Sequence, residues 1–239
     1  MRQNALLGLV AAASVLADPI LVSTQNNSMV EGNVTFEEQS SGGLTWAANL
    51  TLLDAGLTTY DDCISADGKS IDLNWHVHVG RPTSDDAVGS ECGATAGDPP
   101  VGGHYDPNYA CGSSSNEQDT CTELNKTSSN GYTYDCNPST YLSDPSVCEV
   151  GDYSGKFGAM KFMYSADNTT ATAEASGSDP FGPTLSEITN MSIVFHCASP
   201  RLFCATMLAS DDGNAAVKGA GLDLVLMMAV TISSLAFLM

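Results

Sequence analysis

The stretch SIDLNWHVHVG, Ser70 to Gly80, sets two histidines one residue apart, and the whole chain of 239 residues holds only two more, His104 and His196. In an extended segment, residues two apart point the same way with backbones about 6.6 Å apart, so His76 and His78 can lean onto one ion. The eight cysteines are an even number, which in an oxidising compartment means disulfides rather than thiolate ligands. What remains is all-nitrogen ligation. It suits copper or zinc, and a planar or tetragonal set of imidazoles favours Cu(II). A lone His-X-His on the polar face of a strand is weak evidence for a metal; four histidines with none to spare are stronger.

The elements that must hold these side chains read as strands. Alternation places Ile71, Leu73, Trp75, Val77 and Val79 on one face and Asp72, Asn74, His76 and His78 on the other, so both imidazoles leave the core on one side. In NMSIVFHC the same test puts Met191, Ile193 and Phe195 together and leaves His196 on the opposite face at a strand end. His104 follows two glycines and precedes Asp106-Pro107, a loop signature. GNVTFEE and LTWAANLTLL, separated by QSSGG, form a hairpin, and GAMKFMYS and TATAEAS continue the series. With no convincing helical period between the two ends, the expectation is an all-β Greek-key sandwich or barrel of about eight antiparallel strands, immunoglobulin-like, with only short helices. Tyr105 to Val147 breaks the rhythm. It is polar, poor in aliphatic residues, and holds Cys111, Cys121 and Cys136, with Cys148 just beyond. Two local disulfides among three possible pairings would staple it.

The ends bound the destination. Residues 1–17 read as a secretory signal, an apolar run after Arg2 ending with Val15 and Ala17 at the −3 and −1 positions. Residues 210–239 read as a linker and lipid-anchor signal, with small residues around Asn214, a polar spacer and an apolar tail. A membrane-spanning helix is the competing reading, disfavoured because no basic cytoplasmic flank follows. Residues 18–209 then form one domain outside the cell, GPI-anchored at the plasma membrane or wall, with six Asn-X-Ser/Thr sites at Asn26, Asn33, Asn49, Asn125, Asn168 and Asn190. A formal net charge of −20 argues against nucleic acid and anionic headgroups as partners, so contact with a membrane is expected through the lipid anchor alone. A monomer is the favoured oligomeric state.

Taken in chain order, these segments resemble the copper/zinc superoxide dismutase family. WHVHVG is similar to its paired copper histidines, GGHYDP to its bridging-histidine loop, EVGDYSG to its Gly-Asp segment, SIVFH to its last copper ligand and SPRLFCA to its Arg-X-X-Cys ending. The resemblance implies that His76, His78, His104 and His196 bind one copper and that Arg201 guides superoxide to it. It also implies a disulfide between Cys92 and Cys204. Cys63 and Cys197 are then left over, and their pairing is a bare expectation.

Two departures refine the likeness. Between Tyr105 and Val150 there is no histidine to complete that family's zinc site, so zinc is not expected. His196 and Arg201 are separated only by CASP, where the copper/zinc enzymes carry a long charged loop, which leads one to expect an exposed ion. Both features resemble the copper-only, extracellular and often GPI-anchored subgroup. There a glutamate three residues before the Gly-Asp aspartate takes over part of zinc's role, which implies parts for Glu149 and Asp152. The implied activity is conversion of superoxide to dioxygen and hydrogen peroxide. Its rivals are a cell-surface copper-binding or scavenging protein with little catalysis, and a glycosylated wall or adhesion module with bare histidines.

Overall fold

The computed structural model describes residues 20–23, 29–55, 58–84, 86–93, 101–197 and 201–209. The expected signal segment 1–17, the expected anchor segment 210–239 with Asn214, and the Asn26 sequon lie outside these residues. Ten strands make up the described fold: β1 (Ile20–Ser23), β2 (Val30–Glu38), β3 (Leu44–Leu52), β4 (Ser70–His78), β5 (Asp86–Val88), β6 (Met160–Tyr164), β7 (Ala171–Asp179), β8 (Ser192–His196), β9 (Arg201–Thr206) and β10 (Leu208–Ala209). All pair antiparallel in one curled sheet, in the order β10-β1-β2-β3-β7-β6-β4-β8-β9-β5. The count exceeds the expected eight because short strands at the edges, such as the two-residue β10 paired to β1, carry too little pattern to read. Helices are short, as the missing helical period requires: α1 (Gln118–Glu123), α2 (Pro138–Ser143), α3 (Tyr153–Phe157) and α4 (Leu185–Ile188).

Period-two alternation builds the sheet. In β3, Leu44, Trp46, Ala48, Leu50 and Leu52 are buried while the residues between them face outward. The connections β3–β4 and β7–β8 cross from one half of the sheet to the other, so the two halves face each other. Between them lies one core, where Trp46 packs edge-on to Trp75 with centroids 4.8 Å apart, and Tyr153, Phe36, Phe195 and Phe203 continue the cluster.

Four disulfides close the chain: Cys63–Cys197, Cys92–Cys204, Cys111–Cys121 and Cys136–Cys148. The polar loop is thus stapled in two small local rings, the pairing that its cysteine spacings make cheapest in chain entropy.

One discontinuity positions everything that follows. Strand β4 pairs with β6 only from Ser70 to Leu73, and with β8 from Asn74 to His78. Where β6 has left, two loop segments take its edge. Val77 N–H donates to Gly151 O (2.9 Å), Tyr105 N–H to Val77 O (2.9 Å), and Gly151 N–H to Tyr105 O (2.7 Å). His104 and the Glu149–Asp152 segment are thereby sewn onto the strand that carries His76 and His78.

Candidate metal centre

His76, His104 and His196 each offer a ring nitrogen, and these atoms lie within 4.8 Å of one another. The His76 ring stacks on His104 with centroids 4.0 Å apart and on His196 at 4.9 Å. His76 Nδ1 faces His196 Nε2 at 3.0 Å. His78 stands edge-on to His104, with centroids 4.9 Å apart. The alternation read from the sequence accounts for three of these placements. The fourth, His104, arrives through an isolated bridge to His78, secured where His104 N–H donates to Ser114 O (2.7 Å).

Each ring has one nitrogen already committed. His76 Nε2 lies 3.2 Å from Asp152 Oδ1, His78 Nδ1 2.9 Å from Gly102 O, and His104 Nδ1 2.6 Å from Glu149 Oε2; His196 Nδ1 meets Cys197 O. The second nitrogen of His78, Nε2, is buried with no hydrogen-bond partner. A buried orphan nitrogen costs about 1–3 kcal/mol unless something meets it, and a cation would.

The site is less open than the short connection after His196 suggests. His76 and His78 are 6% and 1% exposed, while His104 and His196 are half-buried, so access is from their side.

Electrostatics separate the two carboxylates. Burial, then the neighbouring charges of Asp152 and Asp106, push Glu149 up to about 8. Burial also works against the charge of Asp152, but hydrogen bonds from His76, Gly155 N–H and Tyr134 outweigh it and hold Asp152 at about 2. Burial lowers all four imidazoles, His104 and His196 to about 4, so the rings are neutral and their lone pairs available near neutral pH. Two glycines make room for the acids. A Cβ on Gly112 would collide with the Glu149 carboxyl, and one on Gly155 with Asp152 Oδ2 and the Cys136 sulfur.

Glu149 gives the metal-free protein a pH signature. A carboxyl raised on folding contributes stability while protonated, fully below about 4.5, and that contribution is lost as pH climbs through about 8. Between those values stability is expected to fall by up to about 1.4 kcal/mol per pH unit. Glu149→Gln, which cannot ionise, is expected to flatten the slope. Urea titrations of both proteins across that pH range measure the difference.

Solved structures similar to this chain include superoxide dismutase 5 of Candida albicans in its Cu(II) form, with 19% identity, a TM-score of 0.47, and coverage of 85% of this chain and 99% of that one. A mutant of the same Candida protein aligns at 17% identity and TM-score 0.42, covering 85% and 99%. The clock protein EA4 aligns at 12% identity and TM-score 0.42, covering 83% and 98%. No protein-family model and no curated protein sequence matches the chain.

Arg201 begins β9 and reaches over the site. Its guanidinium donates to Cys92 O (2.8 Å) and to Gly102 O (3.2 Å), the carbonyl that also holds His78. The disulfide Cys92–Cys204 ties that same loop to β9. Sequence reading passed over Tyr134, whose hydroxyl donates to Asp152 Oδ2 (2.8 Å) and accepts from Glu149 N–H (3.0 Å). Its segment is irregular, and nothing in its spacing from the acids points to them. A second cluster, Asp106, Cys111 and Cys121, is no metal site because both sulfurs are in a disulfide. Asp106 instead accepts from Ala110 N–H, Cys111 N–H and Ser115 Oγ, pinning the loop beside His104.

Proposed function

We propose that this chain is an extracellular, copper-only superoxide dismutase. The observation that carries the reading is the cluster of His76, His104 and His196, with His78 edge-on to His104 and its Nε2 buried and unmatched. That is the donor chemistry of a nitrogen-ligated copper, and His76, His78, His104 and His196 would hold it. Bound there, copper would supply one-electron chemistry, oxidising one superoxide to dioxygen and reducing a second, with two protons, to hydrogen peroxide.

The protein's own groups do the rest. Asp152, Gly102 O and Cys197 O fix the tautomers of His76, His78 and His196 by accepting from one nitrogen of each ring. Glu149 sits on His104 Nδ1 at 2.6 Å, where it orients the ring and can hold or deliver a proton at that atom. With Glu149 on that nitrogen, His104 is already held by the protein itself, which supports a site without zinc. Arg201, a planar and permanently charged group fixed by two carbonyls, gives an incoming anion a local positive target despite the overall charge of −20. Screening beyond about 8 Å at physiological salt leaves that local field dominant.

Four disulfides support an oxidising compartment, and the Asn-X-Ser/Thr asparagines at 33, 49, 125, 168 and 190 are all exposed, as glycan acceptors must be. Residues 1–17 and 210–239 are assigned as export and lipid-anchor signals on their sequence pattern, with 18–209 as the copper domain.

The copper-loaded protein is expected to consume superoxide in proportion to bound copper. Arg201→Ala is expected to lower that rate about tenfold or more at unchanged copper content, with Arg201→Lys in between. Stopped-flow decay of superoxide, normalised to copper, checks both. Full copper occupancy without consumption would instead make the chain a copper-binding or scavenging protein.

A further inference from the structure

The two acids beside the histidines are themselves held from outside by one side chain. Asp152 accepts at Oδ1 from Gly155 N–H (2.7 Å) and faces His76 Nε2 there at 3.2 Å; its other oxygen, Oδ2, accepts from the Tyr134 hydroxyl at 2.8 Å. The same hydroxyl oxygen accepts from the backbone N–H of Glu149 at 3.0 Å. Its one proton and its acceptor site are therefore both spent on the segment that orients His76 and His104. The Cys136–Cys148 disulfide joins the chain two residues after Tyr134 to the residue before Glu149, so the phenol cannot drift from its partners. Gly155 contributes by having no Cβ where Asp152 and the Cys136 sulfur converge.

We propose that Tyr134 is a positioning residue of the histidine cluster: by locking the Asp152 carboxylate as acceptor for His76 Nε2–H, it fixes the tautomer that leaves His76 Nδ1 bare toward His196. Its value to the protein rests on the copper reading given above. The tautomer itself does not. Without the phenol, Asp152 Oδ2 has no donor in its buried setting and the carboxylate is free to turn, so His76 loses its fixed acceptor and populates both tautomers. Tyr132 supplies the control. It lies in the same loop, but its hydroxyl donates to Ala110 O and bonds neither Glu149 nor Asp152.

The test uses the purified protein with ¹⁵N-labelled histidine, whose four rings make long-range proton–nitrogen spectra simple to assign. In the metal-free protein His76 is expected as a single Nε2–H tautomer; Tyr134→Phe is expected to give a mixture and Tyr132→Phe to give the parent pattern. Circular dichroism checks that both variants fold. In copper titrations Tyr134→Phe is expected to weaken affinity about 10–100-fold and to change the Cu(II) electron paramagnetic resonance hyperfine splitting, with Tyr132→Phe unchanged. An unaltered His76 tautomer and copper affinity in Tyr134→Phe would overturn the proposal. A parent protein that shows the tautomer shift on substitution but never retains copper would overturn the copper reading and leave the role of Tyr134 standing.

Discussion

His76→Ala is expected to strip copper from the purified protein and bring superoxide consumption down to the background of the metal-free chain. His76 is the hub of the cluster. Its ring stacks on His104 and His196, its Nδ1 faces His196 Nε2 at 3.0 Å, and its Nε2 meets Asp152 at 3.2 Å. On the copper reading proposed above, alanine removes a proposed ligand; it also leaves the buried Asp152 short of one donor, at a cost of about 1–3 kcal/mol. That cost is too small to unfold a domain closed by four disulfides, so the variant is expected to keep its β-sheet circular dichroism while losing its metal. Copper content after dialysis, read beside the spectrum, separates the two effects. Stoichiometric copper and full turnover in His76→Ala would place the ion elsewhere.

The largest expected effect on stability is that of Asp179→Ala. Lys156 and Asp179 are both fully buried, with Nζ 2.6 Å from Oδ2, and Tyr141 donates its hydroxyl to the other carboxylate oxygen. The ammonium also lies 4.4 Å from the Tyr153 ring centroid. Removing the carboxylate strands a buried cation and a buried phenol, for which about 3–5 kcal/mol is the usual cost. Lys156 has a second role. Its Nζ donates to Val150 O at 2.7 Å, in the segment between Glu149 and Asp152. Asp179→Ala is therefore expected to weaken copper retention as well. The paired change Lys156→Met with Asp179→Leu is expected to recover most of the stability, because an apolar pair replaces the ions, but not the copper affinity, because Lys156→Met removes the donor to Val150 O. Urea denaturation and copper titration of the three proteins measure this; a loss under about 1 kcal/mol in Asp179→Ala would show that the ion pair is dispensable.

What could be read from the sequence followed local period. Alternation in β4 and β8 is a two-residue signal, and it placed Trp75 and Phe195 in the core and His76, His78 and His196 on the other face before any fold was known. Local pattern gave His104 only as a loop residue, its part in the cluster coming from the resemblance alone, because its place depends on β6 leaving β4 after Leu73 and on a bridge to His78 across a loop. No sequence motif links Lys156 and Asp179, 23 residues apart; the fold pairs them by bringing α3 to the end of β7. Tyr134 was invisible for a similar reason: its partners lie 15 and 18 residues away, beyond a disulfide whose pairing the sequence left open.

The copper proposal stands or falls on metal content. Purified protein offered equal copper and zinc, then dialysed, is expected to retain one copper and no zinc per chain, with superoxide consumption proportional to copper. Stoichiometric zinc, or bound copper without consumption, would overturn the proposal.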